Sequence, residues 1–298
     1  MTTRSSRSVP IAWVVLLAAI VPGVPARAAP PGTTLPGAAP PAATAPAPPA
    51  ATPSLPALLA SAGDDRLVDL SYPFDERTIY WPTAQPFRLT HDHAGRTEAG
   101  YFYASNSLCA SEHGGTHIDA PYHFSEKGWT TDRIPLRALI APAVVIDVRA
   151  ACAADPDHAV TAEEIRAFEA KHEPIPKGAV VVAWTGWGER WPDKKRYLGD
   201  DAPGDASHLH FPGFSAEAAR YLTGVRGIAG VGIDTASVDP GPSRDFAAHQ
   251  VLAAGQAYNL ENLANVGRLP PAGAILVTLP MKIAGGTGGP ARVLAILP

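Results

Sequence analysis

The residues best suited to chemistry are three histidines and an aspartate that lie within eleven positions of one another: His113, His117, Asp119 and His123. The spacing of four between His113 and His117 would suit one face of a helix, but Gly114 and Gly115 lie between them and disfavour a helix. The segment is instead typical of a turn that enters a strand. In a strand, His117 and Asp119 point to one face, and the flexible glycines let His113 fold back towards it.

Two imidazoles and a carboxylate that converge in this way form a metal site. Nitrogen and oxygen ligands of these types suit zinc, manganese or iron. His123 follows Pro121 by two residues, so it would lie close to the same point and could act as an acid or base instead of a ligand. A lone histidine would be interpreted as an ordinary loop residue. Four such side chains around two glycines favour the metal site.

The stretch from His113 to His123 resembles the signature His-x-Gly-Thr-His-x-Asp-x-Pro-x-His of the cyclase-like metal hydrolases. That family includes bacterial kynurenine formamidases, isatin hydrolases and some polyketide-associated enzymes. The resemblance extends from about Leu67 to Pro298. It implies that His123 is the catalytic acid/base and that three neighbours are metal ligands: His113, His117 and Asp119. It also implies an assembly that is a homodimer or a higher homo-oligomer.

A second ion is implied by the same resemblance. In formamidases with two metals, the counterpart of Asp119 bridges the ions, and a later His and Glu spaced by twelve hold the second one. His249 and Glu261 have this spacing here. By pattern alone each would be a solvated or capping residue, but the motif favours a role as a ligand or as a neighbour of the ligands. The resemblance therefore implies one or two ions per subunit, Zn²⁺ or Mn²⁺.

Three further segments are similar to isatin hydrolases: Thr78–Pro82, His210–Gly213 and Gly232–Asp239. The resemblance implies that Trp81 lines the substrate pocket, where its face could stack on an aryl ring. A tryptophan of the hydrophobic core is the alternative. It also makes His210 and Ser237 candidates for contact with the substrate or with a proton-conducting water.

Together these residues predict an enzyme. We expect a metal-dependent hydrolase that opens the C–N bond of a small aromatic lactam or N-formyl amide with metal-activated water, while His123 moves the proton. A lyase or polyketide cyclase that uses the same metal is the alternative enzyme. An exported metal-binding protein without activity is the alternative from another class, and it predicts bound metal without a neighbouring base such as His123.

Short apolar runs rich in β-branched residues recur through the chain and alternate with helical patterns. The runs predict strands covered on both faces: Ala143–Val148, Ala179–Trp184, Ile228–Ile233, Ala274–Leu279 and Arg292–Leu297. Helices are predicted at Thr161–Lys171, Ser215–Gly224 and Asp245–Ala254. The alternation predicts an α/β fold, in agreement with the swivelling β/β/α domain that the resemblance implies. The glycine-rich run Gly285–Gly289 indicates a mobile turn.

Residues 1–28 have the pattern of a Sec-type signal peptide. Arg4 and Arg7 precede an apolar stretch at residues 11–21. The small residues Ala26 and Ala28 come just before the predicted cleavage site, which follows Ala28. The apolar stretch is too short to span a bilayer. The sequence therefore predicts export to the periplasm or the medium, with no membrane attachment after cleavage.

Residues 29–63 are rich in proline and alanine, which predicts a linker, and residues 64–298 form the predicted hydrolase domain. The formal net charge of −4, with 17% charged residues, is typical of neither a nucleic-acid binder nor a membrane-surface protein. A small-molecule substrate is the expected partner. Spacing does not reveal whether Cys109 and Cys152 pair.

Overall fold

A computed structural model describes residues 63–298, so the predicted signal peptide and all of the predicted linker except Gly63 lie outside the described residues. The described chain contains twelve strands: β1 (Leu67–Asp69), β2 (Arg88–Arg96), β3 (Phe102–Cys109), β4 (His117–Asp119), β5 (Ile140–Asp147), β6 (Ala159–Val160), β7 (Val180–Trp184), β8 (Gly213–Phe214), β9 (Gly230–Ile233), β10 (Tyr258–Glu261), β11 (Ala272–Pro280) and β12 (Gly288–Ile296).

The same residues form six α-helices: α1 (Leu136–Leu139), α2 (Arg149–Ala154), α3 (Ala162–Lys171), α4 (Lys194–Leu198), α5 (Ala216–Arg220) and α6 (Ala247–Ala254). Among residues 63–298, no helix is long and apolar enough to cross a bilayer. Because strands and helices alternate along the described chain, the α/β fold that the pattern predicts is confirmed.

Eight strands form one sheet in the order β1-β12-β11-β5-β7-β9-β10-β4. Strands β5, β7, β9 and β10 run parallel to their neighbours in this series, whereas the remaining pairings are antiparallel. Strand β4 pairs with β10 on one side and with β12 on the other, so the sheet closes on itself. Asp119 consequently lies opposite Asn259 of one neighbour and Gly288 of the other.

The central parallel strands are buried on both faces, as their continuous apolar runs predict. Val180 and Val182 belong to one apolar cluster, while Val181 and Ala183 of the same strand belong to another. Helices α3, α5 and α6 contribute side chains to the second cluster. Ile118 of β4 and Leu260 of β10 belong to the first cluster, so the strands that carry the predicted site are packed into this core.

Helix α3 begins where the capping pattern predicts. The Thr161 hydroxyl accepts a hydrogen bond from the Glu164 backbone N–H at 3.1 Å, and the Glu164 carboxylate accepts one from the Thr161 N–H at 2.8 Å. These two bonds satisfy backbone groups that the first turn leaves unpaired. The predicted capping box is confirmed.

The other two predicted helices differ at their ends. The helix after Ser215 continues beyond α5 as a π-helical turn, Tyr221–Arg226, and stops at Gly227, whose φ of 61° is left-handed. It therefore runs past Gly224, where the pattern predicted its end. Helix α6 begins two residues later than predicted because Phe246, with φ 51°, is not helical.

Strands β2 and β3 form a separate antiparallel hairpin that the sequence pattern did not predict. Its register pairs Arg88 with Cys109 and Arg96 with Phe102. Nearly all of its residues are exposed, and the large side chains of Phe102 and Leu108 are 68% and 60% exposed. Cys109 lies on this hairpin and Cys152 is buried in α2, and both cysteines are free thiols.

Candidate metal centre

The turn before β4 has the shape that its two glycines require. Gly115 adopts φ +55°, where side chains are strained, and a Cβ there would lie 2.7 Å from the Phe74 ring. A Cβ on Gly114 would overlap the ring of Tyr80. The chain can therefore turn tightly against these two rings and bring His113 back beside the strand.

The three residues of the motif converge as the sequence predicts. The Nδ1 atom of His113 lies 2.6 Å from Asp119 Oδ1, and His117 Nε2 lies 3.2 Å from the same oxygen. His117 and Asp119 are buried in β4, whereas the His113 side chain is 23% exposed. The strand and the turn thus present two imidazoles and one carboxylate to one point.

A second group of side chains meets the other oxygen of Asp119. His249, on α6, places Nε2 at 3.2 Å from Asp119 Oδ2 and at 3.3 Å from Glu261 Oε1. Glu261 ends β10, which pairs with β4, and its Oε2 lies 3.5 Å from His117 Nε2. Asp119 therefore belongs to two sets of potential ligands, and the donor atoms of each set lie within 4.8 Å of one another.

The chemistry of this cluster fits a divalent cation. His117 Nε2 is buried and forms no hydrogen bond, although Asp119 Oδ1 is nearby. Its Nδ1 donates to the carbonyl of Gly115 at 2.9 Å, so Nε2 is the ring atom that faces the carboxylates and would offer its lone pair to an ion. A buried polar atom without a partner is costly. An ion held by imidazole nitrogens and carboxylate oxygens would satisfy it.

The electrostatic potential between the carboxylates favours positive charge. Burial disfavours the charged form of His117, but Asp119 and Glu261 favour it and raise its pKa to about 9. Burial also opposes the ionisation of Asp119, yet the imidazoles around it hold its pKa well below the usual range. For Glu261, burial and the charge of Asp119 raise the pKa. A cation between these two acids would relieve their repulsion.

His123 borders the cluster without joining either set of potential ligands. It ends the short 3₁₀ turn Pro121–His123, and its ring stacks on His113 with 3.8 Å between the centroids. Burial lowers the pKa of His123 to about 4; the Asp119 carboxylate opposes this shift and the neighbouring imidazoles add to it. The ring is therefore neutral at pH 7 and keeps one nitrogen lone pair free beside the cluster.

A cavity of about 350 Å³ opens onto the cluster. Aromatic side chains form much of its wall: Trp81, Phe124 and Phe246. The rings of Trp81 and Phe246 lie 6.1 Å apart, and Ser237 adds a hydroxyl. The structure thus brings Trp81 and Ser237 to the cavity, as the sequence predicts. Phe124 and Phe246 were not predicted, because a single phenylalanine in a loop gives no pattern.

His210 differs from its prediction. Its backbone N–H donates to the Leu198 carbonyl, and its exposed ring places Nδ1 at 2.7 Å from Asp157 Oδ2. The ring is therefore turned away from the cavity, whose lining does not include it. In this structure His210 does not line the cavity and pairs with Asp157 at the surface.

Two residues that hold His113 in place have no recognisable sequence pattern. The Nε2 atom of His113 lies 2.8 Å from Thr287 Oγ1, and the Thr287 hydroxyl donates to Glu112 Oε2 at 2.5 Å. The threonine oxygen must then accept the Nε2 proton, so Nδ1 of His113 faces the centre. Thr287 lies in the run predicted as a mobile turn, yet Gly288 already belongs to β12, and a Cβ there would lie 2.6 Å from His113 Cε1.

Comparisons with known proteins agree with this geometry. The model of the Cyclase family matches residues 68–240. An isatin hydrolase of Roseibium aggregatum is 40% identical over 207 residues, which is 67% of this chain and 77% of that protein. A kynurenine formamidase of Salinibacter ruber is 32% identical over 76% of this chain and 96% of its own length. The solved structure of isatin hydrolase A from Ralstonia solanacearum superposes with a TM-score of 0.75 at 32% identity, covering 84% of this chain and 99% of that one.

Proposed function

This chain belongs to the Cyclase family, and from that membership we propose that it is a metal-dependent hydrolase that opens the C–N bond of a small aromatic lactam. The observation that carries the proposal is the buried cluster beside an aromatic cavity. In it, the unpaired Nε2 of His117 faces the carboxylates of Asp119 and Glu261.

Five side chains would hold the metal, in two sets that share Asp119: His113, His117, Asp119, His249 and Glu261. Imidazole and carboxylate ligands suit Zn²⁺ or Mn²⁺, with one or two ions per subunit. A divalent ion bound there would supply Lewis acidity and would lower the pKa of a bound water to about 7.

His123 is placed to move the proton. Its neutral ring borders the cavity, so it can accept a proton from the water that attacks the amide carbonyl. The same ring then returns that proton to the departing nitrogen. The carbonyl carbon gains the oxygen of water, the C–N bond breaks, and the products are an amine and a carboxylic acid, which releases the second proton of the water to solvent and becomes a carboxylate. A lactam gives both groups on one opened molecule.

The cavity and the comparisons favour an aromatic lactam over an N-formyl amide. The faces of Trp81, Phe124 and Phe246 offer apolar contact to a flat aryl ring. Identity to the isatin hydrolase is 40%, against 32% to the kynurenine formamidase. Because the second relative covers more of the chain, an N-formyl aromatic amine is the second candidate substrate.

The test is a substrate comparison with metal analysis on the same preparation. The protein loaded with Zn²⁺ or Mn²⁺ is given isatin and N-formylaniline, and the products are identified by mass. We expect ring opening of isatin with the gain of one water, and loss of both metal and activity in Asp119→Ala. A product that has lost or rearranged atoms without gaining water would favour the lyase or cyclase alternative. Bound metal with no turnover of any amide would favour the metal-binding protein.

A further inference from the structure

The carboxylate of Asp239 makes two hydrogen bonds to His249, one of the proposed ligands, and a third to the residue before it. Asp239 follows β9 in a loop and is 3% exposed. Its Oδ2 lies 2.6 Å from His249 Nδ1 and also accepts the backbone N–H of His249 at 3.0 Å. Its Oδ1 accepts the N–H of Ala248 at 2.9 Å. One buried side chain thus fixes both the backbone and the ring of His249.

Helix α6 depends on this carboxylate at its beginning. The residue before the helix, Phe246, has a left-handed backbone and no side-chain capping bond. The first N–H groups of a helix lack partners within it. Asp239 supplies an acceptor for two of them, so it sets the position from which the His249 ring extends.

We propose that Asp239 is the positioning residue for His249 as a metal ligand. A carboxylate accepts hydrogen bonds, so the proton of a neutral His249 ring stays on Nδ1 and the Nε2 lone pair faces Asp119 and Glu261. This inference rests on the proposed function in one respect, namely that His249 holds an ion. It assigns to Asp239 the orientation and the tautomer of that ligand.

The neighbouring ligand shows why Asp239 can be tested separately. His117 donates its Nδ1 proton to the backbone carbonyl of Gly115, which no side-chain substitution removes. His249 donates instead to a side chain contributed by a different part of the chain. A substitution at Asp239 therefore acts on His249 and leaves the orientation of His117 unchanged.

The substitution Asp239→Asn separates orientation from shape. The amide keeps the size of the carboxylate, and its oxygen can still accept the Ala248 N–H. In that orientation its NH₂ group faces both Nδ1 and the backbone N–H of His249. It donates to the ring, so the ring proton moves to Nε2 and blocks the lone pair, and the backbone N–H of His249 loses its acceptor. We expect zinc to bind about 10- to 100-fold more weakly to one site, the one whose zinc affinity His249→Ala also lowers.

Zinc affinity is measured by competition with a chromogenic chelator, on variants whose circular dichroism matches the wild type. Asp193→Asn is the matched control, because Asp193 caps α4 and is not among the cluster residues. It should leave the zinc affinity of every bound ion unchanged. In the zinc-loaded wild type, a nitrogen–proton NMR correlation should place the His249 ring proton on Nδ1.

Three results would overturn the proposal. They are unchanged zinc affinity in Asp239→Asn, equal weakening of every bound ion, and a ring proton on Nε2 in the wild type. If Asp239→Asn does not fold, the NMR measurement on the wild type still decides the question. Failure of the proposed function is seen separately, because zinc-loaded wild type would then bind the ions with the expected affinities and hydrolyse neither amide.

Discussion

His123 has the same side chain as His113 and His249 beside it, and its position is the reason that we propose a different role for it. The turn at Pro121–His123 carries its ring over that of His113 and towards the cavity, whereas the ligand atoms of the others face the carboxylates. Burial keeps the ring neutral. A neutral imidazole beside an activated water has the properties of a general base.

We therefore expect His123→Ala to retain its metal and to lose about 10²- to 10⁴-fold in rate, the usual contribution of a positioned acid or base. Metal content and turnover are measured on one preparation. His172→Ala is the control, since that histidine is exposed at the end of α3. Loss of metal together with activity would show instead that His123 is a ligand.

The part of the site that could be predicted from sequence is the part built by local geometry. His117 and Asp119 share a face because alternate residues of a strand do so, and that rule needs no knowledge of the fold. Thr287 reaches His113 only through the pairing of β12 with β4, which no local pattern encodes. The position of the His210 ring could not be predicted for the converse reason, because a matching segment does not fix where a side chain turns.

Glu169 of α3 makes the clearest contact between α3 and the π-helical turn that follows α5. Its carboxylate accepts hydrogen bonds from the Tyr221 hydroxyl at 2.6 Å, from Arg226 at 2.8 Å and from the Ile175 N–H at 2.8 Å. Burial opposes ionisation of Glu169, but these bonds outweigh it and lower its pKa. The contact thus ties α3 to the π-helical turn after α5.

A lowered pKa in the folded state means that Glu169 stabilises the fold above the pKa of an unfolded glutamate, near 4.3, and loses this effect as the pH falls through the folded value. We expect Glu169→Gln to lower the free energy of unfolding by about 1–3 kcal/mol at pH 7 and by less at pH 3. Urea unfolding at both pH values measures this. Glu163→Gln, which removes an exposed pair with Arg166, should change little at either pH. An equal loss at both pH values would refute the charge-dependent part of the argument.

The elements differ in how far sequence could predict them. Strands such as β7 and β9 were predicted because both of their faces are buried, so they appear as unbroken apolar runs. The hairpin of β2 and β3 was missed because it is exposed on both faces and therefore has no alternating pattern. The order of strands in the sheet depends on contacts between distant segments, which periodicity does not contain.

At the scale of the whole molecule, that hairpin is the surface with the clearest need of a partner. A two-stranded hairpin alone is marginally stable, and this one exposes five large apolar side chains: Leu89, Tyr101, Phe102, Tyr103 and Leu108. Symmetric homodimers are the commonest soluble assemblies. We propose that a second copy of this chain covers the hairpin.

The double substitution of Phe102 and Leu108 to Asp should then convert a dimer into monomers without unfolding them. Light scattering after gel filtration measures the mass, and circular dichroism checks the fold. Leu136→Asp is the control, because Leu136 is 76% exposed but lies on α1. A wild type that is already monomeric, or a variant that stays dimeric, would exclude the hairpin as the interface.

The N-terminal residues determine where the protein is sent, and we propose that they direct export by the Sec pathway. A bacterium that produces the full chain should release a protein whose first residue is Ala29, as determined by intact mass. Ala28→Arg should block this cleavage, because signal peptidase requires a small residue at that position. An unprocessed chain retained in the cytoplasm would contradict the proposal.

The closure of the sheet by β4 has a consequence for when the centre can form. Asp119 needs β10 on one side and β12 on the other, and Gly288–Pro290 of β12 are synthesised long after Asp119 itself. Contacts between such distant segments form late in folding. A chain released up to Thr287 already contains all five proposed ligands but lacks the strand that completes their surroundings. If the chain is exported unfolded, it will take up its ion only at its destination, so the metal supply of that compartment, and not of the cytoplasm, selects which ion it carries.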